Sequence, residues 1–310
     1  MNQCKICNST QEHPILVARE MMFGFRDEFL YFQCVACGCL QIAEIPENMS
    51  RYYPDDYYSF KQVPIGIFKK IAMYFLANAY MLGLTVLRHG PYLKFPSRTS
   101  VLGVLKHCSK KDAILDVGSG AGNFLLEMKN WGFSNLTGID PYIEKDIFYP
   151  SGVKVLRQTT HEHEGKYDII MLNHSFEHMS EPHAVFKDLA RLLNDSGILL
   201  IRVPVSDSFA FRKYRNNWFQ LDAPRHFFLH TTRSMSYLAK NNGFLIEDVI
   251  YDSIEAQILE SEGYCRDIPL LATKKNTSSF IKKCRKFAKH LNEMKDGDQC
   301  CFILKRVVSS

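Results

Sequence analysis

The sequence predicts an α/β protein, a mostly parallel sheet wrapped by helices, with a small cysteine-rich module ahead of it. Three observations lead there. From Asp112 onward, short apolar runs alternate with helix-patterned segments, as strands joined by crossover helices do. A glycine-rich turn, Asp116-Val117-Gly118-Ser119-Gly120-Ala121-Gly122, joins the first of these strands to the first helix. Two Cys-x-x-Cys pairs stand near the N-terminus, well away from that turn.

The 310 residues, 46% hydrophobic and 23% charged, suit one large domain with a small appendage. A net charge of +5 permits an anionic partner but falls short of a dedicated nucleic-acid binder. The first residues, MNQCKICNST, lack a charged segment followed by an apolar one, so the expected location is the cytoplasm. In that reducing compartment the regularly spaced members of the ten cysteines read as metal ligands, the rest as buried thiols.

Residues 1–60 are expected to form the module and a linker. Cys4 and Cys7, then Cys34 and Cys37 followed by Gly38, supply four thiolates, which suits tetrahedral zinc in a closed structural site. Cys39 offers an alternative register to Cys37. So small a module buries too little apolar surface to fold alone, and zinc binding worth about 10–16 kcal/mol supplies the difference. Residues 61–109 read as a helical connector broken by Pro91, Pro96 and Ser97. Within it, the uncharged stretch 71–87 is about one turn short of the roughly 20 residues a membrane span needs, so a packed helix or peripheral membrane contact is expected.

Residues 110–310 are expected to form the main domain. In order come the strand AILDV, a helix over 123–131, and the strands NLTGID, VKVL and YDIIMLN. A helix then opens near Glu181 with Pro182 in its first turn, carries Val185, Phe186, Leu189, Leu192 and Leu193 on one face, and stops before Gly197. The strand GILLIRVP, a helix over 233–241, and the strands FLIEDVIY and CCFILKRVV complete a seven-stranded sheet. Between the last two strands, 253–299 is an insertion containing a basic helix, SSFIKKCRKFAKHLNEM, whose charges surround Phe280, Ile281, Phe287 and Leu291 as on a solvated amphipathic helix.

The glycines let the backbone turn tightly and approach a ligand at the unpaired N–H groups of a helix N-terminus. Asp140, 24 residues after Asp116 and at the end of the next strand, can accept both hydroxyls of a ribose. Only one such half is visible, which argues against a dinucleotide fold. Together, ILDVGSGAGNFL, GIDP, YDIIMLNHSFEHMSEP and GILLIRVP resemble the class I S-adenosylmethionine-dependent methyltransferases, with their Rossmann-like seven-stranded sheet. The resemblance implies S-adenosyl-L-methionine as cofactor, with Asp116, Gly118 and Gly120 at its methionine end, Asp140 at its ribose, and Asn173 and His174 beside the sulfonium. The four-cysteine module on this fold is similar to that of sugar methyltransferases and of one class of ribosomal RNA guanine methyltransferases, both with structural zinc.

Methyl transfer from a sulfonium is an in-line displacement, so a base is needed only where the acceptor must lose a proton. The candidates are His174, Glu177, His178, Asp222, His226 and His230, with His226 first, then His178 and His174. His226 lies in NWFQLDAPRHFFLHT, where this fold usually binds its acceptor; there Trp218, Phe219 and Phe227 offer stacking surfaces and Arg225 a partner for phosphate or carboxylate. His174, Glu177 and His178 also resemble a metal-supporting motif of quinone-ring O-methyltransferases, with His174 in place of the acid. Asn173-His174-Ser175-Phe176 is not the signature of exocyclic-amine methylation, and no Pro-Cys nucleophile follows the fourth or fifth strand. The expected acceptor is a sugar, glycan precursor or other small polar molecule. The alternatives are an RNA methyltransferase using the zinc module for recognition, or a non-catalytic cofactor-binding partner subunit.

Overall fold

The computed structural model describes residues 3–54, 99–272 and 276–307, together with Gly66, Tyr74, Phe75, Asn78 and Ala79. Most of the connector, including nearly all of 71–87, lies outside the described residues. Among the described residues no helix is long and apolar enough to cross a membrane.

The module is a meander of three strands, β1 (Ile15–Arg19), β2 (Glu28–Gln33) and β3 (Leu40–Ile42). The body runs α1 (Thr99–Leu105), β4 (Ala113–Val117), α2 (Asn123–Asn130), β5 (Asn135–Ile139), β6 (Ile147–Phe148), β7 (Lys154–Leu156), β8 (Tyr167–Asn173), α3 (Pro182–Leu192) and β9 (Leu193–Pro204). It continues through α4 (Phe209–Tyr214), β10 (Phe228–Leu229), α5 (Thr232–Asn241), β11 (Phe244–Tyr251), α6 (Ala256–Cys265), α7 (Ser278–Glu293) and β12 (Gln299–Arg306).

The large sheet has the order β11-β12-β9-β8-β4-β5-β7-β6. Strands β7, β5, β4, β8 and β9 are parallel, and β12 runs antiparallel to both neighbours, β9 and β11. This is the expected seven-stranded, Rossmann-like plan with one addition, the two-residue edge strand β6 that folds back antiparallel on β7. A strand so short leaves no periodic signal. The chain first builds outward from β4 to β5 and β7, then crosses back to β8. The gap at the carboxyl ends of β4 and β8 is therefore the switch point where such sheets bind ligands.

Burial on both faces explains why the central strands read as continuous apolar runs: Ile114, Leu115 and Val117 in β4 and Ile169 to Leu172 in β8 are all buried. Helix α3 begins on Pro182 and buries Val185, Phe186, Leu189 and Leu192, the expected face. It ends one residue early. Leu193 instead opens β9 opposite Tyr167, so that strand starts four residues before GILLIRVP. The insertion holds two helices rather than one. Helix α6 was illegible because it buries polar residues, Gln257 and Ser261, with Ser261 Oγ accepting the Phe219 N–H at 3.1 Å. Helix α7 buries only Cys284, Ala288 and Leu291, as a solvated amphipathic helix should.

The module is not merely tethered. Its fourth strand is β10 of the body, which pairs antiparallel with β3, Phe228 opposite Gln41. Tyr31, Cys39 and Leu40 share one core with Phe176, Phe228 and Leu229.

Candidate active site

At the carboxyl end of β4, Gly118, Gly120 and Gly122 all have positive φ (+74°, +53° and +73°). At Gly118 a Cβ would also lie 2.4 Å from the Ser175 Cβ, so the turn and the end of β8 touch only because a side chain is missing. Gly118 N–H donates to the Ile139 carbonyl at 2.8 Å, tying the turn to β5. Just beyond β5, Asp140 accepts the Gly120 N–H on one oxygen at 2.8 Å and the Tyr142 N–H on the other at 2.9 Å. Each oxygen keeps a lone pair for a ribose hydroxyl. Burial pushes the Asp140 carboxyl above its ordinary value, opposed by these N–H donors and by nearby His178. Asp116 is buried at the turn's start. Asn173 accepts from Arg202 Nη1 at 3.0 Å, and His174 takes up a positive φ of +56° where the chain leaves β8.

Beside this cradle the fold collects a second group. Glu177 and His178 lie in a short 3-10 turn after β8, and His226 arrives from the loop before β10. One ligand atom from each of the three lies within 4.8 Å of the others. His226 Nδ1 is 2.7 Å from the Gln220 carbonyl, which can only accept, so Nδ1 carries a proton and in the neutral ring the lone pair is on Nε2. That Nε2 lies 3.8 Å from Glu177 Oε1 and 3.8 Å from Asp222 Oδ2. His178 Nδ1 donates in the same way to the Arg225 carbonyl at 2.8 Å. His174 Nδ1 stands 3.3 Å from Glu177 Oε1, where it steadies the carboxylate. Burial pushes the Glu177 carboxyl up, but the His174 hydrogen bond and the imidazoles of His178 and His226 outweigh it and leave it at about 2. Its Oε2 is buried and finds no hydrogen-bond partner among the described residues.

Several expectations for this region are corrected. Trp218 is fully buried and donates through Nε1 to Asp298 at 2.9 Å, so it offers no stacking face. Arg225 is equally buried and paired with Glu20 and Asp222, leaving nothing for a phosphate. His230 is a core residue stacked on Phe176, and burial lowers it to about 4. Phe227 is buried and lines a cleft of about 410 Å³ with Lys5, Phe32 and Gln41, a cleft that includes neither the glycine turn nor Glu177, His178 or His226. Sequence reasoning missed Glu20, Tyr31 and Tyr53, although Tyr53 OH lies 3.2 Å from His178 Nδ1. For Glu20 a faint signal exists: a lone acid before the apolar run Met21-Met22-Phe23-Gly24-Phe25.

In the module the sulfurs of Cys4, Cys7, Cys34 and Cys37 lie within 4.8 Å of one another, with Cys4–Cys37 at 3.6 Å and Cys7–Cys34 at 3.5 Å. A tetrahedron of thiolates around zinc has edges of about 3.8 Å, so the set fits. The two pairs form matching knuckles: Asn8 and Gly38 follow them with φ of +59° and +80°, and their N–H groups donate to the Cys4 and Cys34 carbonyls. Gln41 Nε2 donates to Cys4 Sγ at 2.9 Å. Cys39 stands apart, its sulfur 4.0 Å from His230 Nδ1, so the register runs through Cys37.

A family model described as a methyltransferase domain matches residues 86–249. Among curated proteins, the zebrafish (Danio rerio) EEF1A lysine methyltransferase 2 is 57% identical over 35 residues, a match spanning 11% of this chain and only 15% of that protein. Among solved structures, the Burkholderia thailandensis 1,6-didemethyltoxoflavin-N1-methyltransferase with bound 1,6-didemethyltoxoflavin and S-adenosylhomocysteine aligns at 14% identity and a TM-score of 0.42, covering 80% of this chain and 94% of its own. An S-adenosylmethionine-dependent methyltransferase from Mesorhizobium loti aligns at 13% identity and a TM-score of 0.42, covering 67% and 98%. Because the methyltransferase-domain match takes in more than half of its length, the chain belongs to this methyltransferase-domain family.

Proposed function

We propose that this protein transfers the methyl group of S-adenosylmethionine to a hydroxyl or similar protic group of a sugar, glycan precursor or other small polar acceptor, in the cytoplasm. Asp116, Gly118 and Gly120 would hold the methionine end of the cofactor, Asp140 would take its ribose, and Asn173 and His174 would stand beside its sulfonium. The observation that carries the acceptor side is the group of buried Glu177, half-buried His178 and buried His226 beside that cradle. His226 Nε2, with its lone pair free, takes the acceptor's proton as the oxygen attacks the methyl carbon and the C–S bond breaks. The imidazolium so formed lies between the Glu177 and Asp222 carboxylates, 3.8 Å from each, which stabilise it. The products are the methylated acceptor and neutral S-adenosylhomocysteine. His178 is the neighbouring imidazole, and His174 acts through Glu177.

The four thiolates of Cys4, Cys7, Cys34 and Cys37 would hold a structural zinc. They fill its coordination shell, so the ion takes no part in the chemistry.

The test is a release assay for S-adenosylhomocysteine over a panel of sugar nucleotides and small polyols, with total RNA as a separate arm at two salt concentrations. Turnover on a small acceptor that barely responds to salt and falls at least a hundredfold in His226→Gln supports the proposal. Turnover on RNA alone, weakening steeply with salt through counterion release, contradicts it. Cofactor binding without turnover on any arm supports a partner-subunit role instead.

A further inference from the structure

We infer that two side chains of the N-terminal module, Glu20 and Tyr31, are positioning residues for the acceptor-side base. They fix the loop 222–226, and through it His226 and His178, in the orientation methyl transfer needs. The inference rests on the reading of His226 as the base and adds to it what holds that base.

Glu20 follows β1 and is fully buried. One carboxylate oxygen accepts the N–H groups of Met22 (3.1 Å) and Phe23 (3.0 Å), the other those of Gly24 (3.0 Å) and Phe25 (2.9 Å). A turn wrapped this way around a carboxylate fixes the charge in place. Arg225 Nη2 donates to Glu20 at 3.0 Å and to Asp222 at 2.6 Å, Nε adds a 3.0 Å bond to Asp222, and Nη1 reaches the Tyr52 carbonyl at 3.3 Å. The guanidinium also lies over the Phe23 ring, 5.3 Å from its centre. Tyr31, buried on β2, donates its hydroxyl to the His226 carbonyl at 2.8 Å.

On the loop side each of these contacts reaches an imidazole. Asp222 takes a left-handed φ of +38°, and its carbonyl accepts the N–H groups of Arg225 and His226. The Arg225 carbonyl accepts from His178 Nδ1. Arg225 grips both Asp222 oxygens and so keeps that carboxylate 3.8 Å from His226 Nε2, close enough to stabilise the imidazolium but not bonded to the lone pair. Buried ion networks add little net stability over apolar packing, so their usual return is a single defined geometry. Here the geometry defined is that of the base.

The test uses the full chain with its metal, labelled with ¹⁵N-histidine, and reads the imidazole tautomers by two-bond ¹H–¹⁵N correlation, with His226 assigned from His226→Gln. In the wild type His226 is a single Nδ1–H tautomer. Tyr31→Phe removes one hydroxyl and leaves the ring in the core, so the fold persists. It is expected to give mixed or shifted His226 signals, while the dissociation constant for S-adenosylhomocysteine stays within twofold of wild type. Glu20→Gln is expected to disturb His226 more strongly and to shift His178 as well. With an acceptor in hand, Tyr31→Phe lowers kcat several-fold and leaves KM for the cofactor unchanged. A Tyr31→Phe protein that binds S-adenosylhomocysteine normally and keeps the wild-type His226 spectrum overturns the inference. Because that readout does not depend on turnover, it stands apart from the failure of His226 as the base, which His226→Gln turnover reports.

Discussion

The proposed cofactor side and the proposed acceptor side of this molecule lie next to each other but are built differently. The cofactor cradle comes from adjacent segments, Asp116 to Gly122 and Asp140, joined by hydrogen bonds between two neighbouring parallel strands. The acceptor side comes from four distant parts of the chain: Glu20 and Tyr31, Tyr53, the Glu177–His178 turn, and the 222–226 loop. A local site depends on backbone conformation, so single glycines decide it. A site assembled from distant parts depends on what holds the parts together, and here the cysteine module does much of that.

The largest effect should come from the module. Stripping the proposed zinc with a chelator should remove its whole binding free energy, about 10–16 kcal/mol, as much as a typical domain's stability, and Cys34→Ser should remove part of it. Because β10 of the body completes the module's sheet and the two share a core, melting should lose its single cooperative transition rather than shed the module alone. Unchanged melting of metal-free protein would separate the two regions. Next is Gly118→Ala, which adds a Cβ 2.4 Å from Ser175 at a φ of +74°. A strained backbone costs about 1–3 kcal/mol before the clash is counted, so affinity for S-adenosylhomocysteine should fall at least tenfold. Gly152→Ala, with φ +87° but open space around it, should cost only about 1 kcal/mol in stability and leave binding intact.

A third test uses pH. Burial lowers His230 from 6.5 to about 4, so between those values the unfolded chain holds a proton the folded one refuses. Its contribution is complete above pH 6.5 and is lost as pH falls through about 4, up to about 3 kcal/mol. Glu177 acts with the same sign at lower pH, from 4.5 down to about 2. Urea unfolding of His230→Leu should therefore show a shallower loss of stability from pH 6.5 to 4 than the wild type; equal slopes would remove His230 from the core account. The smallest effect should follow Lys5→Ala. Its ion pair with Glu181 bridges module and body, but the two side chains are 51% and 68% exposed, so stability should change by less than about 1 kcal/mol.

The same contrast explains what the sequence made legible. Strands β4, β5, β8 and β11, the glycine turn and each Cys-x-x-Cys pair were readable because each is marked by residues next to it in the sequence. His226 was readable as a candidate, but its surroundings were not. Arg225 has one partner close by in Asp222, but Glu20, which completes its pairing, stands 205 residues earlier, and Trp218 looked like a stacking platform because Asp298 is 80 residues away. Nothing local marks such pairings. Helix α6 escaped for a related reason, since its buried face mixes Gln257 and Ser261 with Ile258 and Tyr264 and so shows no continuous apolar stripe.

The most direct test of the account is calorimetric titration of wild-type and Asp140→Ala protein with S-adenosylmethionine and S-adenosylhomocysteine. The account predicts binding of both by the wild type and at least a tenfold weakening in the variant, about 1.4 kcal/mol. Failure of the wild type to bind either, or equal affinity in the variant, would contradict it.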